Sequence, residues 1–83
     1  MNVATTHIFD LVKSLSPSEK GYVKKYFNSN SKKQSNFIAL IDYVDAFSTV
    51  QLFEEDKSET SGKLLILAED FFSALLTALE KYH

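Results

Sequence analysis

Residues 64–82 have the sequence LLILAEDFFSALLTALEKY, which predicts one long helix with apolar side chains on more than one face. A first stripe at helical spacing contains Leu64, Ala68, Phe71, Leu75, Ala78 and Tyr82. A second stripe beside it contains Leu65, Phe72, Leu76 and Leu79, and Ile66 and Leu67 widen the two. The helix is therefore either the central buried element of the fold or a surface that binds a partner, and the pattern does not say which stripe faces inward.

Upstream of this helix the chain also has helical periodicity, with only two Gly and one Pro. Apolar residues at helical spacing predict a first helix over about residues 4–15. Ser16, Pro17 and Glu19 then form a strong start signal: an N-cap, a proline at the first helical position and a capping box. The second helix is expected to begin at Pro17 and to end in the polar run 28–31.

Two further starts are predicted from hydroxyl residues. Ser35 is expected to cap a third helix that carries Phe37 and Leu40 inward, and the spacing of Ser48 and Gln51 predicts a short helix over 48–55. Residues 54–62 are polar and charged, so we expect a flexible loop there, with a turn at its glycine. Short connections favour antiparallel neighbours, and the prediction is an all-α bundle of four to five helices, formed by two helical hairpins and a long C-terminal helix.

The composition predicts one globular domain over residues 1–83. Hydrophobic residues make up 45% of the chain and charged residues 24%, as in ordinary globular proteins. There is no cysteine, so packing must supply the stability, and this suits a reducing compartment. The N-terminus lacks the pattern of a secretory signal, and no apolar run approaches the roughly 18 residues of a membrane span. We expect a cytoplasmic protein that does not enter membranes.

Three segments carry a resemblance to a known family: LSPSEKGYVKKYF at 15–27, NFIALIDYVD at 36–45 and DFFSALLTALEKYH at 70–83. Together they resemble the N-terminal opening of a bacterial family of long, all-helical, tetratricopeptide-like proteins without an assigned activity. The chain departs from that family at Gly21, where a basic residue is usual. The resemblance implies that residues 1–83 are the opening unit of a longer helical array, and that the apolar excess of the last helix docks the next hairpin.

The charges are unevenly distributed along the chain. Residues 1–33 carry six Lys and two acids, a balance of +4, whereas residues 34–83 carry three Lys and nine acids, a balance of −6. The basic patch predicted from this excess consists of Lys24, Lys25, Lys32 and Lys33, next to Lys20. With the helix start at Pro17, these lysines could hold DNA phosphates as part of a helix-turn-helix. The absence of Arg, the apolar face of that helix and the acidic remainder of the chain disfavour nucleic acid as a partner.

No residue pattern in the chain predicts an enzyme. His7 and Asp10 are too few for a zinc site, and the acids of 54–59 lack the spacing of a calcium loop. The tripeptide at 61–63 resembles the end of a phosphate-binding loop but lacks its upstream glycine and the hydroxyl residue after the lysine. We therefore predict no catalytic residue, metal, cofactor or small-molecule substrate.

The function predicted from the sequence is a non-enzymatic protein-interaction or scaffold module. Its apolar docking residues are Leu65, Phe72, Leu76 and Leu79, and the lysine patch is a secondary electrostatic surface. The same apolar pattern would arise in a homodimer joined through the last helix, so a protein partner and a second copy both stay open. The alternative function is a DNA-associated helix-turn-helix module that uses the lysines.

Overall fold

A computed structural model describes residues 3–30 and 32–83, and the side chains of 5–29 and 36–83. Within these ranges the chain forms five helices and no strand, which confirms the predicted all-α bundle. The helices are α1 (Val3–Ser14), α2 (Pro17–Asn30), α3 (Lys32–Asp45), α4 (Val50–Glu55) and α5 (Glu59–Tyr82).

The start of α2 is the capping box that the sequence predicts. The Glu19 amide donates to the Ser16 hydroxyl oxygen at 3.2 Å, and the Ser16 amide donates to the Glu19 carboxylate at 2.9 Å. These two bonds satisfy amides that the first helical turn leaves without intrahelical partners. The bond from the Ser16 amide is the main cause that lowers the pKa of the Glu19 carboxyl group, and the His83 side chain at 3.0 Å and the Ser16 hydroxyl contribute further.

Two predicted helix starts are wrong. Ser35 lies inside α3, because α3 begins at Lys32, more than a full turn before Phe37, the first buried residue among the α3 side chains that the structure describes. The N-cap of α4 is Thr49, whose hydroxyl accepts from the Leu52 amide at 3.2 Å. Hydroxyl residues in a row compete for the cap, and only backbone geometry selects one of them.

The predicted long loop at 54–62 is also wrong. The helix α4 continues to Glu55, and α5 begins at Glu59, so only residues 56–58 connect them. Ser58 caps α5 by accepting from the Ser61 amide at 3.3 Å. Gly62 lies within α5 and has no positive φ, so it makes no turn. Glu54, Glu55 and Glu59 are therefore helical, and only Asp56 and Lys57 of the charged residues lie in the connection.

The most extensive packing is between α2 and α3, which run antiparallel. The Phe27 ring lies 5.4 Å from that of Phe37 at one end, and Lys20 pairs with Asp45 at the other. The helix α5 packs on this pair and on α1, and its Phe71 ring lies 5.2 Å from Phe37 and 6.5 Å from Phe27. The short helix α4 packs on α1 and contributes one buried ring, Phe53.

The first apolar stripe of the last helix faces the core. Leu64, Ala68, Phe71, Leu75 and Ala78 are all buried. Tyr82 belongs to the same stripe but is 40% exposed, because it lies at the end of α5, where its ring is 5.2 Å from that of Tyr22 at the edge of α2. The inward stripe, which the sequence left undecided, is therefore this one.

Candidate docking surface

The second stripe of α5 lies at the surface. Leu65 and Leu76 are 44% and 45% exposed, whereas Phe72 and Leu79 are partly buried and pack against the edge of the core. We call these four residues the α5 stripe. Since a helix rises 1.5 Å per residue, the stripe extends about 21 Å along α5. It is long enough to contact a helix of about four turns.

Helix α1 runs beside the α5 stripe. The exposed ring of His7 has its centroid 6.5 Å from that of Phe72, and Leu11 is partly buried against the core on the same side of α1. The two helices pack on each other. The stripe is therefore bordered on one side by α1 and on the other by solvent.

The solvent side of the α5 stripe is acidic. Glu69 and Glu80 are both exposed, and each lies four residues after an exposed leucine of the stripe, Leu65 and Leu76 respectively. Residues four apart on a helix are neighbours on its surface, so each carboxylate stands next to one leucine. The stripe thus combines an apolar strip with two negative charges along its open edge.

Ile66 is the most exposed large apolar residue of α5, with 84% of its surface accessible. It follows Leu65 directly and therefore lies about 100° further around the helix. Its helical neighbours at three and four residues are Gly62, Lys63, Glu69 and Asp70, none of them a large apolar residue. Ile66 is an isolated surface residue, outside the α5 stripe.

The lysines of α2 are largely engaged with acids of α3. Lys24 lies 2.6 Å from the Asp42 carboxylate, and Lys20 lies 2.9 Å from that of Asp45. Lys13 of α1 joins the same Asp45 group at 3.7 Å, and its ammonium donates to the Asp45 carbonyl oxygen at 2.7 Å. The hydrogen bond from Lys20 is the main cause that lowers the pKa of Asp45.

These ion pairs change the predicted basic patch. Lys25 is exposed, but the charge of Lys24 is compensated by Asp42. Lys32 and Lys33 belong to the first turn of α3, and their side chains lie outside the described residues. A phosphate backbone would have to compete with carboxylates for Lys20 and Lys24, which weakens the case for a DNA-binding helix at Pro17–Asn30.

A small cavity that the sequence does not indicate lies between α3 and α5. Its volume is about 220 Å³, and it is lined by Asn36, Ala39, Leu40, Thr60, Lys63 and Leu67. No single sequence pattern groups these residues, because three of them lie at 36–40 in α3 and three at 60–67 in α5. The cavity opens on a different side of α5 from the stripe, since Leu67 is two positions beyond Leu65, or about 200° around the helix.

The described residues hold neither a candidate metal site nor a candidate membrane span. No group of three or more His, Cys, Asp or Glu side chains there is arranged to hold a metal ion. No helix in the same part of the chain is long and apolar enough to cross a membrane.

Comparison with known proteins adds no relative. No family model, no curated protein and no solved structure matches the chain. The resemblance to the tetratricopeptide-like family therefore stays a prediction from three sequence segments.

Proposed function

We propose that the chain is a protein-interaction module that receives a helix of a partner protein on the α5 stripe. The observation that carries this proposal is the exposure of Leu65 and Leu76, close to half of each side chain, on a helix whose other apolar stripe already fills the core. Single exposed leucines are common on protein surfaces. Two of them aligned with the half-buried Phe72 and Leu79 form a continuous strip, and such strips are typical of helix-in-groove recognition.

The energetic support comes from apolar burial. Removing apolar surface from water stabilises an association by about 25 cal/mol per Å², and ordering the two partners opposes it. The α5 stripe is already ordered as part of a helix anchored on three neighbours, α1, α2 and α3. Docking would therefore order mainly the partner. The cytoplasmic location and the place in a longer array stay predictions.

The proposal is tested with a designed peptide that stands in for the partner helix. We would use an amphipathic peptide of about 20 residues with leucines at helical spacing and glutamines beside them, and titrate it into the ¹⁵N-labelled chain. We expect shifts of amide signals along Leu65, Phe72, Leu76 and Leu79. Leu76→Asp should weaken binding at least about tenfold, because it places a carboxylate in the apolar contact.

Ile66→Asp is the matched control, since it adds the same charge to an exposed position of the same helix. It should leave binding within about twofold of the original. Circular dichroism melts would show that both variants stay folded. A folded Leu76→Asp chain that binds the peptide as the original does would refute the docking function, as would shifts confined to other faces.

A further inference from the structure

The charges around the α5 stripe indicate which kind of helix it receives. Glu69 and Glu80 stand on its open edge, and both are exposed. The lysines of α5 that the structure describes, Lys63 and Lys81, lie on another side of the helix, about 160–180° from the centre of the stripe. The apolar strip therefore has two negative charges beside it, and α5 places no positive charge there.

A second copy of the chain fits this edge poorly. In a two-fold symmetric dimer the same surface meets itself, so antiparallel α5 helices would bring Glu69 of one copy close to Glu80 of the other. Like charges placed opposite each other across an interface disfavour that pairing. The chain as a whole also has a net charge of −2 at pH 7, so two copies repel each other weakly at long range. The edge thus selects against antiparallel self-association through α5.

We infer that the α5 stripe receives an amphipathic helix whose apolar face is bordered by lysine or arginine, supplied by a different protein. This inference rests on the docking function proposed above and specifies its partner. Leucine-sized side chains of that helix would cover Leu65 and Leu76, and its basic residues would meet Glu69 and Glu80 at the solvent edge. Rim charges of this kind mainly raise the association rate and exclude wrong partners.

The test compares three peptides with the same apolar stripe and with lysine, glutamine or glutamate beside it. At low salt we expect the lysine peptide to bind roughly five- to tenfold tighter than the glutamine peptide, and the glutamate peptide to bind weakest. At about 1 M salt, where the screening length falls to roughly 3 Å, the three affinities should converge.

Two double variants separate a local effect from general attraction to an acidic protein. Glu69→Gln with Glu80→Gln removes the charges of the edge. Glu55→Gln with Glu59→Gln removes the same number of exposed charges near the start of α5. We expect the first pair to abolish most of the preference for the lysine peptide and the second pair to preserve it.

Equal affinities for the lysine and glutamine peptides, or equal losses in the two double variants, would overturn the basic partner while leaving the docking function in place. Failure of all three peptides to bind would refute the docking function itself. A salt-insensitive dimer in sedimentation equilibrium that Leu76→Asp dissociates would assign the stripe to a second copy and overturn the inference.

Discussion

The Tyr43 hydroxyl donates a hydrogen bond of 2.6 Å to the Asp56 carboxylate, which joins α3 to the short connection between α4 and α5. Asp56 also accepts from the backbone and the hydroxyl of Ser58, and these bonds lower the pKa of its carboxyl group. Burial, together with the bond to Asp56, raises the pKa of Tyr43 to about 12.

This pair predicts a loss of stability in alkali. Between the ordinary pKa of about 10 and the folded value of about 12, the unfolded tyrosine has released its proton and the folded one retains it. Stability therefore falls as pH rises through this window. Tyr43→Phe should cost about 1 kcal/mol at pH 7 and remove this part of the alkaline loss. Urea unfolding at pH 7 and at pH values above 10 measures both, and an unchanged alkaline slope in the variant would contradict the assignment.

The capping box of α2 predicts that the loss of its N-cap destabilises the protein. Ser16→Ala removes the acceptor for the Glu19 amide and should lower the free energy of unfolding by about 1 kcal/mol. Ser18→Ala is the control, because Ser18 is exposed in the first turn and alanine is a good helix former. Chemical denaturation should show a loss for the first variant only. Equal effects of the two would mean that the box does not stabilise α2.

Adjacent phenylalanines on α5 test which stripe faces the core. Phe71 is fully buried between Phe27 and Phe37, so Phe71→Ala should cost about 3–5 kcal/mol, a large share of the total stability of so small a domain. Phe72 is only partly buried, and Phe72→Ala should cost clearly less. Thermal melts of the two variants side by side give the comparison. A larger loss of stability for Phe72→Ala would show that the second stripe of α5, and not the first, faces the core.

Gly21 predicts a stabilising substitution. It lies inside α2 without a positive φ, and a Cβ added there would meet no atom within 4 Å. Gly21→Ala should therefore raise the free energy of unfolding by about 0.5–1 kcal/mol, and the melting temperature by a few degrees. Calorimetry measures the change. A lower melting temperature would show that this position tolerates only glycine.

How well the sequence predicted each feature depended on how local that feature is. The box at Ser16 and Glu19 lies within four residues and was predicted correctly. The inward stripe of α5 could not be chosen, because its choice depends on rings such as Phe27 and Phe37 that reach α5 only in the folded bundle. The predicted starts of α3 and α5 are too late in the chain, because their first turns, at Lys32 and Glu59, are polar and apolar periodicity does not mark them.

Ion pairs between helices cannot be predicted from the sequence for the same reason. Lys24 and Asp42 are 18 positions apart, and nothing in their local pattern pairs them. The sequence therefore predicts more uncompensated lysine charge on α2 than the bundle presents. Exposure of Leu65 and Leu76 followed once the inward stripe was known, since the helix can turn only one face to the core.

The position of α5 in the chain has a consequence for folding during synthesis. Phe71, Leu75 and the other inward residues of α5 complete a core whose remaining members come from the preceding helices. Until the ribosome has made α5, Phe27 and Phe37 lack the Phe71 ring that packs against them. The preceding helices therefore cannot complete this core before α5 is synthesised, and the nascent chain exposes until then the apolar surface that α5 covers in the bundle.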